Sequence, residues 1–495
     1  MNIWLILIWI LISALYAYLK LRTSYWEVKG VSQLKTGIWG NIRRITTMHH
    51  TDLWQEVYDE FKDKVKIAGT YWYTRPVAVI LDLDLVKTIL IKDFNKFTDR
   101  FPQHNTHDVL SQHLFSADSK IWKGLRTKLT PTFTSGKMKF MFPTLVEVSQ
   151  KYVTALDAEL KAKPDQCLEM YDWNGRFTTD VIGSVIFGIE TNSIRNPNAE
   201  FRIIGQKVFG SEKPNIKLSM AKRVYMKYLR YFGAKRFAPD VEEFFLRIVN
   251  DTVLERERRN IRRNDFIDIL IELKNQKDEN GQSLLSLELV AAQLFVFFVA
   301  GFETSSSNMS YGLYELAKNP DKQDILRQEI LDVLEKHNNQ LTYEGMLEMS
   351  YLDQVISETL RLYPALSFLQ RICMEDYHVP DMDIVLEKGT PVAIPVKAIH
   401  YDPEIYENPT AFIPERFHPS EVQQRHPQSF LGFGDGPRNC IGLRFGRMQA
   451  KVGLIALLSK YRFSVSSKTL DKMHISEHSF VMVPGKGVWL KVEKI

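Results

Sequence analysis

The chain has three cysteines, Cys167, Cys373 and Cys440, too few for a disulfide framework and too far apart for a zinc ribbon. Only Cys440 sits in a setting suited to chemistry. It lies in the glycine-rich run FLGFGDGPRNCIG, Phe430 to Gly442, and the apolar stretch LRFGRMQAKVGLIALLSKY that follows predicts a helix. A thiol at a helix N-terminus is favoured as thiolate by unpaired backbone N–H groups and the helix dipole. One thiolate cannot hold zinc or an iron–sulfur cluster, but one strongly donating thiolate suffices on the proximal side of a haem iron. The glycines, Gly436 and Gly442 among them, would let the loop pass close to a flat porphyrin; Arg438 would pair with a propionate and Phe433 would shield the sulfur. On these residues alone, a buried cysteine after a turn stands as an equal alternative.

Other motifs accompany the loop. Phe433-x-x-Gly436-x-Arg438-x-Cys440-x-Gly442 resembles, at every fixed position, the haem-binding signature of the cytochrome P450 superfamily. Glu358-Thr-Leu-Arg361 resembles the family's ExxR helix element, and Pro414-Glu-Arg-Phe417 its PERF element. The run from Ala300 and Gly301 to Glu303 and Thr304, AGFETS, resembles the oxygen-activating stretch of the family's central helix; Trp122-x-x-x-Arg126 resembles its haem-contacting helix. The segment LTPTFTSGKMKFMFP, Leu129 to Pro143, is similar to the insect microsomal branch that handles xenobiotics.

The resemblance implies a mainly α cytochrome P450 fold: a large helical domain with a long central helix over the haem, a smaller β-rich subdomain and an N-terminal membrane anchor. It implies haem b with Cys440 as the axial iron ligand, and propionates held by Trp122, Arg126, Arg371 and Arg438, with Arg100 in FTDRF beside them. Ala300 and Gly301 would flank the open face of the iron, and Thr304 and Glu303 would deliver protons. A mid-helix threonine also bonds back to the carbonyl one turn earlier, the plain alternative for Thr304. Glu358 and Arg361, three apart, share a helix face where Arg416 can join them. Such a pair is ordinarily a solvated one; the resemblance implies a buried triad that supports the haem loop.

Positioning these groups requires helices above all. Leu289 to Phe302 is apolar but for Gln293, too short to span a bilayer and suited to a core helix buried on all sides. Alternating runs between Ile42 and Leu90 predict a small sheet, and SFVMVPGKGVWLKVEK at the end predicts a β-hairpin turning at Pro484-Gly485. Residues 1–20 read as a transmembrane anchor, 21–40 as a linker and 41–495 as one catalytic domain. Ile3 to Leu19 carries no charge, and Lys20, Arg22, Lys29 and Lys35 follow it against Glu27 alone, which puts the domain on the cytosolic side, as at the endoplasmic reticulum. The linker has no proline before Pro76, where microsomal members usually carry a proline-rich hinge.

Composition sets outer bounds. With 495 residues, 45% hydrophobic and 25% charged, the chain can bury a large core, which excludes disorder. Its 64 basic against 59 acidic side chains leave +5, so no nucleic-acid partner is implied. Arg256 to Asn264 is basic but interleaved with acids, and reads as a solvated helix end; the scattered His49, His50, His104, His107 and His113 lack metal-binding spacing. No nucleotide or flavin fingerprint is present, so electrons must come from outside; the anchor and the resemblance imply NADPH–cytochrome P450 reductase as the donor, drawing on NADPH, with cytochrome b5 as a further partner. Lys120, Lys123, Lys128, Lys137, Lys139, Arg444 and Lys451 are candidates for that contact. The expected reaction is monooxygenation of lipophilic small molecules. A haem-thiolate isomerase or dehydratase, and a non-catalytic protein that sequesters hydrophobic ligands, are the alternatives.

Overall fold

Leu287–Lys318 forms a central helix of 32 residues, about 48 Å long at 1.5 Å per residue. Ser286 caps it, Oγ accepting from Leu289 N at 3.2 Å. The computed structural model describes residues 3–41, 44, 50–72, 74–100, 108–209, 235, 237–263, 265–277, 285–477 and 479–495. The central helix is not buried on all sides as its composition predicts. Val290 to Phe295, Phe298 and Phe302 are buried, while Val296, Phe297 and Ala300 face an internal cavity.

The helix Met170–Ile182 crosses the central helix and fixes it. Thr178 Oγ1 donates to Phe302 O at 3.0 Å, and Asn174 Nδ2 donates to Ser310 Oγ at 2.8 Å. At Gly301 a Cβ would come within 2.4 Å of Ile182 Cδ1. The small residue is therefore required by helix–helix packing.

Among the described residues nine strands form three sheets: β1 (Ile67–Trp72), β2 (Arg75–Ile80), β3 (Cys167–Glu169), β4 (Leu369–Ile372), β5 (Tyr377–His378), β6 (Val385–Leu386), β7 (Pro391–Ile394), β8 (Tyr461–Val465) and β9 (Trp489–Lys494). The hairpin β1–β2, with Ile67 opposite Ile80, is the small sheet expected from the alternating runs. Two strands from the proline-rich region complete it: β7 runs parallel to β2, and β4 pairs antiparallel with β7, setting Arg371 opposite Val392. The expected C-terminal hairpin does not form. Pro484 bridges only to Ile475, and β9 pairs instead with β8, from Tyr461↔Lys494 to Val465↔Leu490, and with β3. These distant partners offer β9 a longer ladder than the residues before Pro484.

The proline-free segment 21–40 is clamped to the first sheet. Trp26 is fully buried, its Nε1 donating to Thr70 O at 3.0 Å, and its ring fills the space beside Gly69, where a Cβ would lie 2.3 Å from Trp26 Cγ. Tyr71 Oη donates to Thr23 O at 2.7 Å, Gly69 N to Ser32 O at 2.7 Å, and Lys29 pairs with Glu387 at 2.7 Å. Side-chain packing here supplies the stiffness that prolines would give. Replacing Trp26→Ala should cost about 3–5 kcal/mol of stability, read as a lowered thermal midpoint; an unchanged midpoint would show that the clamp bears no load.

Candidate active site

The loop from Phe430 to Gly442 is held by its own backbone. Gly434 N donates to Leu431 O at 2.9 Å, Asn439 N to Gly436 O at 3.0 Å, and Cys440 N to Phe433 O at 2.9 Å. Gly434 and Gly436 adopt φ of +68° and +70°, a left-handed region that glycine enters freely. At Gly436 a Cβ would lie 1.9 Å from Leu90 O, so this glycine serves the loop's approach to that segment and does not line the cavity. Gly442 also lies off the cavity wall, at the start of the helix Leu443–Leu458.

Cys440 opens into a cavity of about 240 Å³. One wall is the loop, with Gly432, Phe433 and Gly434; another is the central helix, with Val296, Phe297, Ala300 and Thr304; Leu114, Phe115, Ala365 and Leu369 add apolar surface. Thr304 Oγ1 donates to Ala300 O at 2.6 Å, the back-bond that a mid-helix threonine favours. The Cys440 side chain is exposed only to this interior space, deep inside the fold. Burial pushes its thiol pKa up, against the Gly442 N–H and the guanidinium groups of Arg100 and Arg126, which favour the thiolate.

Arg100, Arg126, Arg371 and Arg438 line the same cavity. Arg126 reaches Asn439, Nη1 to the backbone O at 2.9 Å and Nη2 to Oδ1 at 2.7 Å, and so grips the residue before Cys440. Arg438 lies 4.3 Å over the Trp122 ring, donates Nη2 to Ala117 O at 3.0 Å, and accepts from Arg100 Nη2 through its own carbonyl. Burial, with each other's charge, lowers their pKa values: Arg438 to about 9, Arg100 to about 10, Arg371 far from its usual range. Asp99, 3.9 Å from Arg438, is the nearest carboxylate. Arg371 Nε and Arg438 Nε and Nη1 have no hydrogen-bond partner among the described residues. Buried guanidinium groups left unpaired demand an anion. A flat group carrying two carboxylates and an iron open to one thiolate, as haem does, fits this donor set.

The comparisons with known proteins agree. The cytochrome P450 family model matches residues 33–490. The chain is 46% identical to cytochrome P450 6a2 of Drosophila melanogaster over 505 residues, covering 99% of both chains. It is 46% identical to cytochrome P450 6a9 of the same organism over 464 residues, 91% of this chain and 90% of that one, and 44% identical to its cytochrome P450 6a8 over 495 residues, 98% and 97%. The chain belongs to the cytochrome P450 family. It is a haem-thiolate monooxygenase of the insect branch.

Within this cytochrome P450 the ExxR pair is buried. Arg361, on the helix Ser350–Leu362, donates Nε to Glu358 Oε2 at 2.7 Å and Nη2 to Oε1 at 2.8 Å, both side chains being fully buried. Arg416 Nε lies 3.4 Å from Glu358 Oε1, and Ile413 N donates to the same oxygen at 2.9 Å. The remaining Arg361 donors reach His400 O, Pro409 O and Ala411 O.

Several expected residues sit elsewhere. Glu303 does not join Thr304 in the cavity: it is buried behind the helix, hydrogen-bonded to Tyr171 Oη, and its pKa is raised by burial against the pull of Tyr171 and Arg202. Successive helix residues point about 100° apart, so neighbours in sequence diverge in space. Gly301 faces Ile182, not the cavity. Lys451 is buried against Asp353 Oδ2 at 2.6 Å and Met346 O, and is no surface cation; Lys139 is paired with Glu344. Lys120, Lys123 and Arg444 are exposed. Arg256 is not a solvated helix end, since it pairs with Asp265 and Asp268. His49, His104, His107 and Asn264 lie outside the described residues, as does the side chain of His50. The polar wall at Ser305 and Asn308, and the glycines Gly432 and Gly446, were not singled out from sequence; Asn308 is four residues beyond Thr304, a helical spacing that identifies it.

Removing one partner of the buried pair leaves the other charge uncompensated, so Glu358→Ala or Arg361→Ala should cost about 3–5 kcal/mol and give protein without haem. Pyridine haemochrome assay of each purified variant checks this, and normal haem content would remove the pair's supporting role.

Proposed function

We propose that this chain is a membrane-anchored, reductase-coupled monooxygenase that oxidises lipophilic small molecules, xenobiotics such as plant toxins or insecticides, or endogenous lipids. The observation that carries it is a single cavity that gathers the thiol of Cys440, the guanidinium groups of Arg100, Arg126, Arg371, Arg438 and Arg447, and the Thr304 hydroxyl within largely apolar walls. Haem, when bound, supplies the iron at which dioxygen is reduced. Per turnover NADPH provides two electrons through the reductase, two protons are taken up, and the two oxygen atoms end in product and in water.

On this reading Cys440 would ligate the haem iron, and Arg100, Arg126, Arg371 and Arg438 would pair with the two propionates while Trp122 holds Arg438 in place. Phe433 shields the sulfur. Phe115, Val296, Phe297, Ala365 and Leu369 exclude water and orient an apolar substrate. Thr304 Oγ1 holds and passes a proton toward the site of oxygen reduction. Glu303, bonded to Tyr171, braces the central helix from behind.

The helix Ile3–Thr23, of mean hydropathy 2.0 and with only Leu19 buried, supports the anchor, followed by a linker to about residue 40 and the catalytic domain from 41 to 495. The basic residues after it favour a cytosolic catalytic domain at the endoplasmic reticulum. Exposed Lys120, Lys123 and Arg444, with Lys128, suit an acidic flavin domain of NADPH–cytochrome P450 reductase, and cytochrome b5 would use the same face. In reconstituted membranes an apolar probe should yield an oxygenated product only with reductase and NADPH. Thr304→Ala should lower product formed per NADPH consumed by about tenfold or more; unchanged coupling would exclude Thr304 from proton transfer.

A further inference from the structure

His400 ends the short helix Val396–His400 and is fully buried. Its Nδ1 lies 3.1 Å from the carbonyl oxygen of Arg361, which can only accept, so Nδ1 carries the proton. Nε2 is then left with a lone pair, and it accepts from the backbone N–H of Leu431 at 2.9 Å. Arg361 returns a bond, Nη1 to His400 O at 2.8 Å, and the imidazole stacks on Phe430 with centroids 5.3 Å apart and planes 14° apart.

Both ends of this imidazole meet elements that matter to the cavity. The Arg361 carbonyl belongs to the last turn of its helix, where carbonyls lack helical partners. Leu431 opens the cysteine loop: its own carbonyl accepts from Gly434 N, and Phe433 O two residues on accepts from Cys440 N. A continuous run of hydrogen bonds and short backbone steps thus leads from Arg361 through His400 and Leu431 to Cys440.

We infer that His400 is a positioning residue, an imidazole strut of one fixed tautomer that transmits the placement of Arg361 to the loop presenting Cys440; this rests on the proposed role of Cys440 as haem ligand. Only a neutral ring can donate at one nitrogen and accept at the other. Burial, and then the charge of Arg361, lower its pKa to about 3, which keeps the ring neutral in ordinary buffers. The strut differs from the Glu358–Arg361 pair in kind: that pair fixes the helix, whereas His400 carries its position to the loop.

Three variants of the full chain test the strut in membranes: His400→Gln, whose carbonyl reaches toward Leu431 N; His400→Asn, which reaches only Arg361 O; and His400→Phe, which keeps the stack and loses both bonds. The readouts are total haem, far-UV circular dichroism and the share of haem giving the red-shifted, thiolate-type band with carbon monoxide after reduction. His400→Gln should keep most of that band, while His400→Asn and His400→Phe lose most of it in favour of the shorter-wavelength band of iron without its thiolate. Equal behaviour of the Gln and Asn variants, whether both keep the band or both lose it, overturns the strut, and that comparison stands even if His400→Phe does not fold. A wild type without the thiolate-type band, or a band that persists in Cys440→Ser, instead overturns the assignment of Cys440 and takes the strut with it.

Discussion

A guanidinium group has five N–H donors, and at Arg361 all five are engaged inside the protein: two with Glu358 and one each with the carbonyls of His400, Pro409 and Ala411. This one side chain ties its helix to the segment that leads toward the cysteine loop. A buried cation bonded to Glu358 and to three carbonyls of the 400–411 segment cannot move without leaving donors unpaired at an energetic cost that water cannot offset. The 400–413 segment is therefore fixed relative to the helix Ser350–Leu362, and through His400 so is the start of the cysteine loop. Glu358 makes the arrangement possible by neutralising the charge in a fully dry setting.

The second constraint runs in the opposite direction. Where the Glu358–Arg361 pair is internally satisfied, Arg100, Arg126, Arg371 and Arg438 crowd positive charge around a cavity where, among the described residues, Asp99 is the one carboxylate within 4 Å of Arg438. Their lowered pKa values express the same fact as the orphaned Nε and Nη1 atoms, namely that the folded polypeptide is electrostatically incomplete here. The buried thiol of Cys440 is also pushed toward its neutral form. Two carboxylates and a cationic iron, as haem would bring, would answer both demands at once, and their binding would contribute directly to folding stability.

Much of the site was legible from sequence because its motifs are short and local. The ExxR spacing places two side chains on one face, and the loop from Phe433 to Gly442 announces Cys440. What spacing does not encode is which neighbour each face meets. Glu303 adjoins Thr304 in sequence yet turns to Tyr171; Gly301 belongs to the interface with Ile182; Lys451 lies about two turns into a helix that its surroundings bury. The strands β4 and β7 escaped notice because β7 finds its partner β2 some 300 residues away, β4 joins the sheet only through β7, and proline-rich sequence hides their pattern. The missing hinge prolines were apparent in sequence, whereas the packing of Trp26 on Gly69 could be seen only in the fold.

The central claim is that Cys440 presents a thiolate to a haem held by this cavity. The carbon monoxide difference spectrum of reduced membranes carrying the wild type, with Cys440→Ser beside it, tests it most directly. The account predicts a red-shifted thiolate-type Soret band in the wild type that is absent from the variant. A well-expressed, folded wild type without that band, or a variant that retains it, would contradict the ligand assignment and the chemistry built on it.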